Sequence, residues 1–438
     1  MNLSPDQVLA FAPDSASAAA ARKLAAMRYW RDPGRSDAAV WGKCQGSALY
    51  QVAVDLTGPA WKCSCPSRKI PCKHALGLML FAASTPEAIP ISEPPPWTTE
   101  WLDARARTAA RRESKRAAAP PDSEAQAKRA AQRFERVREG IDGLELWMQD
   151  LVRHGLAAAD PSGGNWDAQA ARLVDAQAPA LASRVRGLAY VPHATADWAG
   201  DLLAELGRIA LLTEAFRNLD TLDEPLRADV RQLIGWTTKE DEVVAAGDMT
   251  DDDWIVLGQA TDEDERFRSQ RTYLSGQRSR RSAMVLQFAA SGEPFAETLL
   301  PGTHVEAVLA FWPGAAPLRA LVHERRTPAL AFDGRLPGFP TFAAFLDDVS
   351  TVMARQPWTM RLPCVVCDVV PTPESEETWW LQDKSRDALP LAQRDAWPLL
   401  AISGGHPIDV MGEWDGRWMR PLFAWSPRDN AGWSRPAR

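Results

Sequence analysis

The apolar residues change their spacing along the chain, and each change marks a change of expected structure. From Val137 the positions Val137, Ile141, Leu144, Trp147, Met148, Leu151 and Val152 recur at three- and four-residue intervals, which places them on one stripe of a helix. Gly163 and Gly164, with Asn165 as an N-cap, introduce a second helix through Leu173 and Val174. Trp198, Leu202, Leu203, Leu206, Ile209 and Leu212 mark a third, and together they predict a helical domain over residues 126–236. Beyond it the pattern shortens to apolar runs bounded by turn residues: Trp254 to Gln259, Ala283 to Ala289, Val305 to Trp312, Ala320 to His323, Cys364 to Val370 and Pro407 to Met411. These are expected strands. Phe342 to Ala354 interrupts them with a helical pattern, and Asp415-Gly416 between Val410, Trp414 and Trp418 predicts a hairpin turn. Residues 237–438 therefore read as an α+β domain with a mostly antiparallel sheet.

Ahead of the helices, Leu49 to Leu56 has the composition of a strand, and Thr57 with Gly58 turns the chain into a second strand that ends in cysteines. His74 to Ala82, apolar at Leu76, Leu78, Met79, Leu80 and Phe81, reads as a helix, so residues 1–98 predict a small ββα unit. Prolines punctuate the chain beyond this helix, in Ser84 to Trp97 and again in Ala117 to Glu124, and both stretches read as linkers. Arg105 to Arg138 holds 11 Lys or Arg against four acids, the composition of a solvated helix or a disordered arm. Residues 99–125 are accordingly expected to be a basic linker. The fold class is α+β in three parts, and no internal repeat of solenoid period is present.

Composition narrows the function classes. With 438 residues, 45% hydrophobic and 24% charged, the chain is ordinary globular material. Its longest apolar run, nine residues from Ala75 to Ala83, falls far below the roughly 18 to 20 needed to span a bilayer, which excludes membrane insertion. No positive residue precedes Arg22, unlike the start of a secretory signal, so a cytoplasmic location is the expectation. Net charge is −7, unevenly spread: residues 1–140 carry 21 Lys plus Arg against 14 Asp plus Glu, and the remainder carries 29 against 43. A basic first third and an acidic remainder would face different partners.

Six cysteines, three of them within ten residues, argue for a metal site before a disulfide framework. The segment is Cys63-x-Cys65, six residues, then Cys72-x-His74. Zn²⁺ takes four tetrahedral ligands from Cys sulfur and His nitrogen, and four such residues in twelve match one structural ion. Residues two apart on a strand point the same way, so Cys63 and Cys65 can offer both sulfurs to one metal. In a helix that spacing separates side chains by about 200°, so Cys72 and His74 are expected on the turn before the helix. Lys62, Arg68, Lys69 and Lys73 flank the ligands and favour the thiolate form.

This pattern resembles the SWIM zinc finger, and the bacterial SWIM proteins are especially similar. The resemblance extends to Trp41-Gly-Lys-Cys-Gln-Gly-Ser47, to Cys65-Pro-Ser-Arg-Lys-Ile-Pro-Cys-Lys-His-Ala-Leu-Gly-Leu78, and more loosely to Val174-Asp-Ala-Gln-Ala178, Gly404-Gly-His-Pro-Ile408 and Gly412-Glu-Trp-Asp-Gly416. It implies that Cys63, Cys65, Cys72 and His74 hold one structural Zn²⁺. Members of the family occur in chromatin remodellers, transposase-like proteins and ubiquitin-related adaptors, so the resemblance implies a non-enzymatic module that binds nucleic acid or protein. Arg68, Lys69, Lys73, Arg111, Arg112, Lys115 and Arg116 are the candidate nucleic-acid contacts. Bacterial members are often encoded near MoxR-type AAA ATPases and von Willebrand A proteins, which implies the alternative of a protein adaptor with no nucleic-acid role.

Other candidates carry blander expectations. Cys44 reads as a small buried residue in the loop before the finger, because four ligands already close a structural site. Cys364 and Cys367 sit three apart on an expected strand, which sends them to opposite faces and away from one metal. Ser403, His406, Asp409, Glu413 and Asp415 are hydrolase-type groups, but no strand–nucleophile–helix elbow accompanies them, and a turn with a hairpin is the expectation. Asp248 to Asp253 lacks the glycine and the glutamate of a calcium loop and reads as a solvated loop. No phosphate-cradling glycine motif occurs, so no catalytic residue, organic cofactor or small-molecule substrate is inferred. The nineteen tryptophans are scattered, many on apolar stripes, and read as packing residues.

Overall fold

The structure is a computed structural model that describes residues 5–12, 15–46, 48–56, 60–67, 71–116, 123–156, 164–193, 197–263, 267–290, 295–375, 378–392 and 396–435. Four antiparallel strands, Trp30–Arg35, Ala39–Gln45, Leu49–Asp55 and Ala60–Cys63, form a meander in chain order. Two of these strands were not expected. Trp30–Arg35 contains proline and glycine, and Asp32, at φ 49°, lies in an irregularity between Arg31 and Gly34 that breaks the two-residue period.

Alternation along the two central strands gives the sheet two apolar faces. Val40, Val52 and Val54 pack against Leu78, Met79 and Phe81 of the helix Lys73–Ser84. Ala39, Trp41 and Ala53 face Trp97, Trp101 and Leu102 of a second helix, Pro96–Arg116. The segment whose composition allowed a solvated helix or a disordered arm is therefore helical up to Arg116, and its first turns are docked on the finger. Arg105 Nε lies 3.3 Å from Asp55 Oδ2 and anchors the next turn.

The helices Ser123–His154, Gly164–Asp175, Pro179–Gly187, Trp198–Arg217 and Glu224–Ile234 share one core, built on Val137, Ile141, Leu144, Met148, Trp166, Leu173, Leu206, Ile209 and Phe216. Val152, Val174 and Leu203, which the periodicity assigned to the stripes, point outward. The bundle core also contains a residue from far along the chain. Trp358 is 3% exposed there, its Nε1 donates to Arg208 O at 3.0 Å, and its carbonyl accepts from Arg184 Nη2 at 3.1 Å. A second tie runs through Asp229, 5% exposed, which accepts from Ala315 N at 2.8 Å and from Gln356 Nε2 at 2.7 Å.

The C-terminal region contains two sheets. Met249–Glu263, Phe267–Gly276, Ser282–Ala290, Thr303–Phe311 and Arg319–Arg325 close into a small barrel: the first strand pairs with the second and fourth, and the fifth pairs antiparallel with the fourth and parallel with the third. Trp254, Val256, Leu274, Val285, Val305, Leu309 and Phe311 fill it. Closure leaves these strands no long open edge. Leu300, from the loop before the fourth strand, reaches back into the core of the finger.

Asp248 to Asp253 is a correction to the expected solvated loop. Residues from Met249 onward are strand, and Asp252 is fully buried. Burial pushes its carboxyl up, but the Ser279 hydroxyl and the backbone N–H groups of Ser279, Arg278 and Asp253 more than reverse this and bring it to about 2. The acid is there to satisfy the turn of the facing hairpin.

The second sheet, antiparallel throughout, runs in the order Ala388–Pro390, Trp379–Gln382, Leu362–Pro373, Ile408–Trp414, Met419–Ser426 and Ala431–Ser434. Helices Phe342–Arg355 and Trp397–Ser403 cover one face. The other packs Val365, Met411, Leu422 and Phe423 on Ile255, Leu257 and Tyr273 of the barrel. The fold class is thus mixed α+β with largely antiparallel sheets, as the pattern implied. Among the described residues no helix is long and apolar enough to cross a membrane.

The ties between bundle and sheets have two measurable effects. Burial raises the Asp229 carboxyl to about 6, above its ordinary 3.8, so the fold favours its protonated form. The stability this contributes is present below pH 4 and lost as pH rises through about 6, a change of up to about 3 kcal/mol for two pKa units. Asp229→Asn should flatten that part of a urea-denaturation profile taken from pH 4 to 7; an unchanged profile would refute the assignment. Trp358→Ala should cost about 3 to 5 kcal/mol. It should also speed amide exchange in Trp198–Arg217, although the substitution lies 141 residues beyond that helix.

Candidate metal centre

The strand Ala60–Cys63 ends on the first ligand. Pairing continues one residue further, because Ser64 N donates to Gln51 O at 3.0 Å and Gln51 N to Ser64 Oγ at 2.9 Å. Cys65 follows in a turn, and the chain returns at Cys72. With φ −72° and ψ 162°, Cys72 is extended and serves as the N-cap of Lys73–Ser84, its sulfur accepting from Ala75 N at 3.5 Å. His74 sits in the first helical turn, not before it as the two-residue spacing predicts. Helical rotation over both steps would have parted the two side chains, but the extended backbone of the cap resets the direction of Cys72.

The result brings all four groups together. One donor atom from each of Cys63, Cys65, Cys72 and His74 lies within 4.8 Å of the others, the one such group of three or more metal-ligating side chains among the described residues. His74 Nδ1 is 3.8 Å from Cys63 Sγ, close to the edge of a tetrahedron with metal–sulfur bonds of about 2.3 Å. Three sulfurs and one imidazole nitrogen form a donor set suited to Zn²⁺, and the residues fit one structural ion.

The backbone prepares the sulfurs for negative charge. Cys63 accepts a bond from the backbone of Cys65, Cys65 from that of Ser67, and Cys72 from that of Ala75. Cys72 is the most strongly favoured thiolate: the bond from Cys63 brings it down to about 4 against burial, helped by His74 and Ala75. That same bond, together with burial, drives the Cys63 thiol up, and burial raises Cys65. Cys44 is not a ligand. It lies on the strand Ala39–Gln45, not in a loop, within the finger's core, and burial pushes its thiol up to about 11.

The basic candidates are placed unevenly. Lys73 is exposed at the first position of the helix, while Arg68 and Lys69 lie outside the described residues. Arg111, Arg112, Lys115 and Arg116 fall on the helix Pro96–Arg116, of which only the backbone is described there.

The remaining candidates are absorbed by packing. Cys364 and Cys367 are both buried on Leu362–Pro373, Cys364 in the helix-covered core and Cys367 donating to Leu336 O at 3.3 Å. Burial raises both thiols, Cys367 to about 11, so neither offers a thiolate at neutral pH. Ser403 closes its helix by donating to Leu400 O and accepting from Gly405 N, His406 is exposed, and Asp415 accepts from Arg417 N and Trp418 N in the hairpin turn. Asp409, fully buried, meets Arg335 and the N–H groups of Leu336 and Asp368. Burial pushes the Glu413 carboxyl up, but Arg271 Nε at 2.7 Å and Tyr273 OH at 2.8 Å leave it below its ordinary value.

Two features of the metal centre were not anticipated. Cys72 is both ligand and helix cap, and the Tyr50 ring lies over His74 with centroids 5.0 Å apart. Tyr50 sits in the strand that was read from composition, but the register that brings it opposite Cys44 depends on a first hairpin that was not expected.

Residues 50–83 match the family model of the SWIM zinc finger, and residues 132–234 match that of a SWIM-associated four-helix bundle domain. No curated protein and no solved structure matches the chain. The finger match spans all four converging ligands, and the bundle match falls on the helical core.

One zinc ion per chain is expected in freshly purified, reduced protein. Binding energy at such a site is also folding energy, so chelation or Cys72→Ala should release amide protection across residues 40–83 and leave both C-terminal sheets protected. Cys364→Ser should leave the zinc content at one. Metal analysis that finds none in the unaltered protein, or half in the Cys364 variant, would contradict the ligand assignment.

Proposed function

We propose that this SWIM zinc-finger protein works in the cytoplasm by binding and not by catalysis, and that its N-terminal unit holds nucleic acid. The observation that carries this reading is the docking of Pro96–Arg116 on the finger. Trp97, Trp101 and Leu102 bury one face of the sheet, and Arg105 pairs with Asp55, so a helix whose sequence adds Arg107, Arg111, Arg112, Lys115 and Arg116 extends from the same body that holds the metal. Arg105 to Arg138 carries 11 basic against four acidic residues, and phosphate neutralisation by such a stretch supplies sequence-independent affinity. The finger supplies a rigid platform beside it. Support for the absence of a catalytic centre comes from the hydrolase-type groups near the C-terminus, which are engaged in turns and in ion pairs between sheets.

A second reading, a protein adaptor working with an assembly such as a MoxR-type AAA ATPase and von Willebrand A proteins, is favoured by the acidic remainder of the chain. Residues 141–438 carry 29 basic against 43 acidic groups, a field that repels nucleic acid and suits basic protein partners.

Salt dependence separates the two. Binding of the full chain to duplex DNA should weaken with salt at a log–log slope of roughly −3 to −6, because only part of the arm can lie on the backbone at once. Replacing Arg111, Arg112, Lys115 and Arg116 by Ala should flatten the slope. Absence of binding to duplex and single-stranded nucleic acid at about 50 mM salt would eliminate the nucleic-acid reading. Partners that co-purify from cells after nuclease treatment would then establish the adaptor.

A further inference from the structure

A cleft of about 430 Å³ opens beside the metal centre, between the helix Ser15–Leu24 and the metal loop. Small residues line part of its wall: Ala16 and Ala20 from the helix, and Gly46 from the hairpin. Tyr50, Lys73 and His74 line it as well. Gly46 is what keeps the space open, since a Cβ there would stand 2.9 Å from the Tyr50 ring and 3.6 Å from His74 Nε2.

The two ring nitrogens of His74 therefore have different tasks. Nδ1 faces the sulfurs, 3.8 Å from Cys63 Sγ, and Nε2 faces Gly46 and the cleft. A histidine that gives Nδ1 to a metal carries its proton on Nε2, and that N–H normally meets a carbonyl, a carboxylate or water. His74 is 5% exposed, and among the described residues no protein acceptor meets its Nε2. A buried donor of this kind calls for an acceptor in the cleft. Lys73, at the cleft and at the first position of a 12-residue helix, makes that acceptor an anion.

We propose that this cleft binds a phosphoryl group, with the His74 Nε2–H and the Lys73 ammonium as its donors. A phosphoryl group presents several oxygens in different directions, which suits donors converging from a ring edge and a flexible cation better than the two coplanar oxygens of a carboxylate do. The proposal rests on the nucleic-acid reading only for the source of the group, a backbone phosphate; inorganic phosphate is the other source of the same chemistry. In the first case the metal centre does more than hold the fold, because the ion fixes the tautomer through which its own ligand touches the strand.

The test uses the zinc-loaded full chain, with inorganic phosphate followed by calorimetry against acetate at equal ionic strength, and with a labelled single-stranded oligonucleotide followed by anisotropy. Lys73→Gln removes the cation, and Gly46→Ala places a methyl in the cleft; zinc content confirms that both variants keep the metal centre. Phosphate should bind, acetate should not, and each variant should weaken phosphate by about tenfold, the loss of one charge-assisted hydrogen bond. If phosphate binds and responds to both variants while no oligonucleotide binds, the cleft stands and the nucleic-acid reading fails. If the oligonucleotide binds the unaltered protein and both variants equally and phosphate does not bind, the cleft assignment is overturned while the nucleic-acid reading survives. Equal binding of acetate and phosphate would also overturn it.

Discussion

Three sulfurs and an imidazole brought within 4.8 Å of one another can all act as ligands only if a cation compensates the charge on the thiolates. Much of the N-terminal architecture depends on that condition. Cys63 terminates one strand, Cys72 begins the helix that covers the sheet, and His74 holds the first turn of that helix against Tyr50. The opposite face of the same sheet carries the basic helix through Trp97 and Trp101. Metal, sheet and positive charge are therefore mechanically connected through two layers of side chains. Disturbing the ion would disturb the platform on which the arginines stand, even though the arginines never approach it in sequence.

The rest of the molecule is joined by a different device, the buried carboxylate at a seam. Asp229 bridges the bundle to two segments of the C-terminal region, and Glu413 joins one sheet to the other through Arg271 and Tyr273. Asp252 closes a turn within the barrel, and Asp409 holds the chain around Arg335 to the second sheet. Each meets several donors at once, as a charge out of water must, and each fixes one relative placement of the elements it joins. The acidic character of the C-terminal region is thus partly internal. Some of its excess negative charge is spent on architecture and never reaches a partner.

How much of this was legible depended on whether a residue's role was local. The four ligands could be read directly because the whole site fits within twelve residues, and the bundle could be read because Val137, Ile141, Leu144 and Met148 repeat without interruption. Trp30–Arg35 was invisible because its irregularity erases the alternation. Phe267–Gly276 was missed because its outward side chains, Arg271 and Ser269 among them, are polar until Tyr273 meets the second sheet. The acidic run at Asp248 to Asp253 looked solvated for the same reason: what buries Asp252 is a turn 27 residues away, and composition contains no trace of it. The position of His74 was off by one turn because the conformation of a cap residue, and not its spacing, set the direction of the Cys72 side chain.

Trp358 has a consequence for how the chain may be divided. The sequence segment that matches the four-helix bundle ends at residue 234, yet a fully packed member of its core is supplied 124 residues later, anchored at both its ring nitrogen and its carbonyl. The recognisable unit and the folding unit are therefore not the same length. A truncation that stops after the bundle removes part of its interior, and a loss of function in such a fragment would be assigned to the missing sheets when the damage lies in the helices. It also means that this bundle could not have been acquired or exchanged as a finished part; in this chain it is completed only by a segment that lies beyond it.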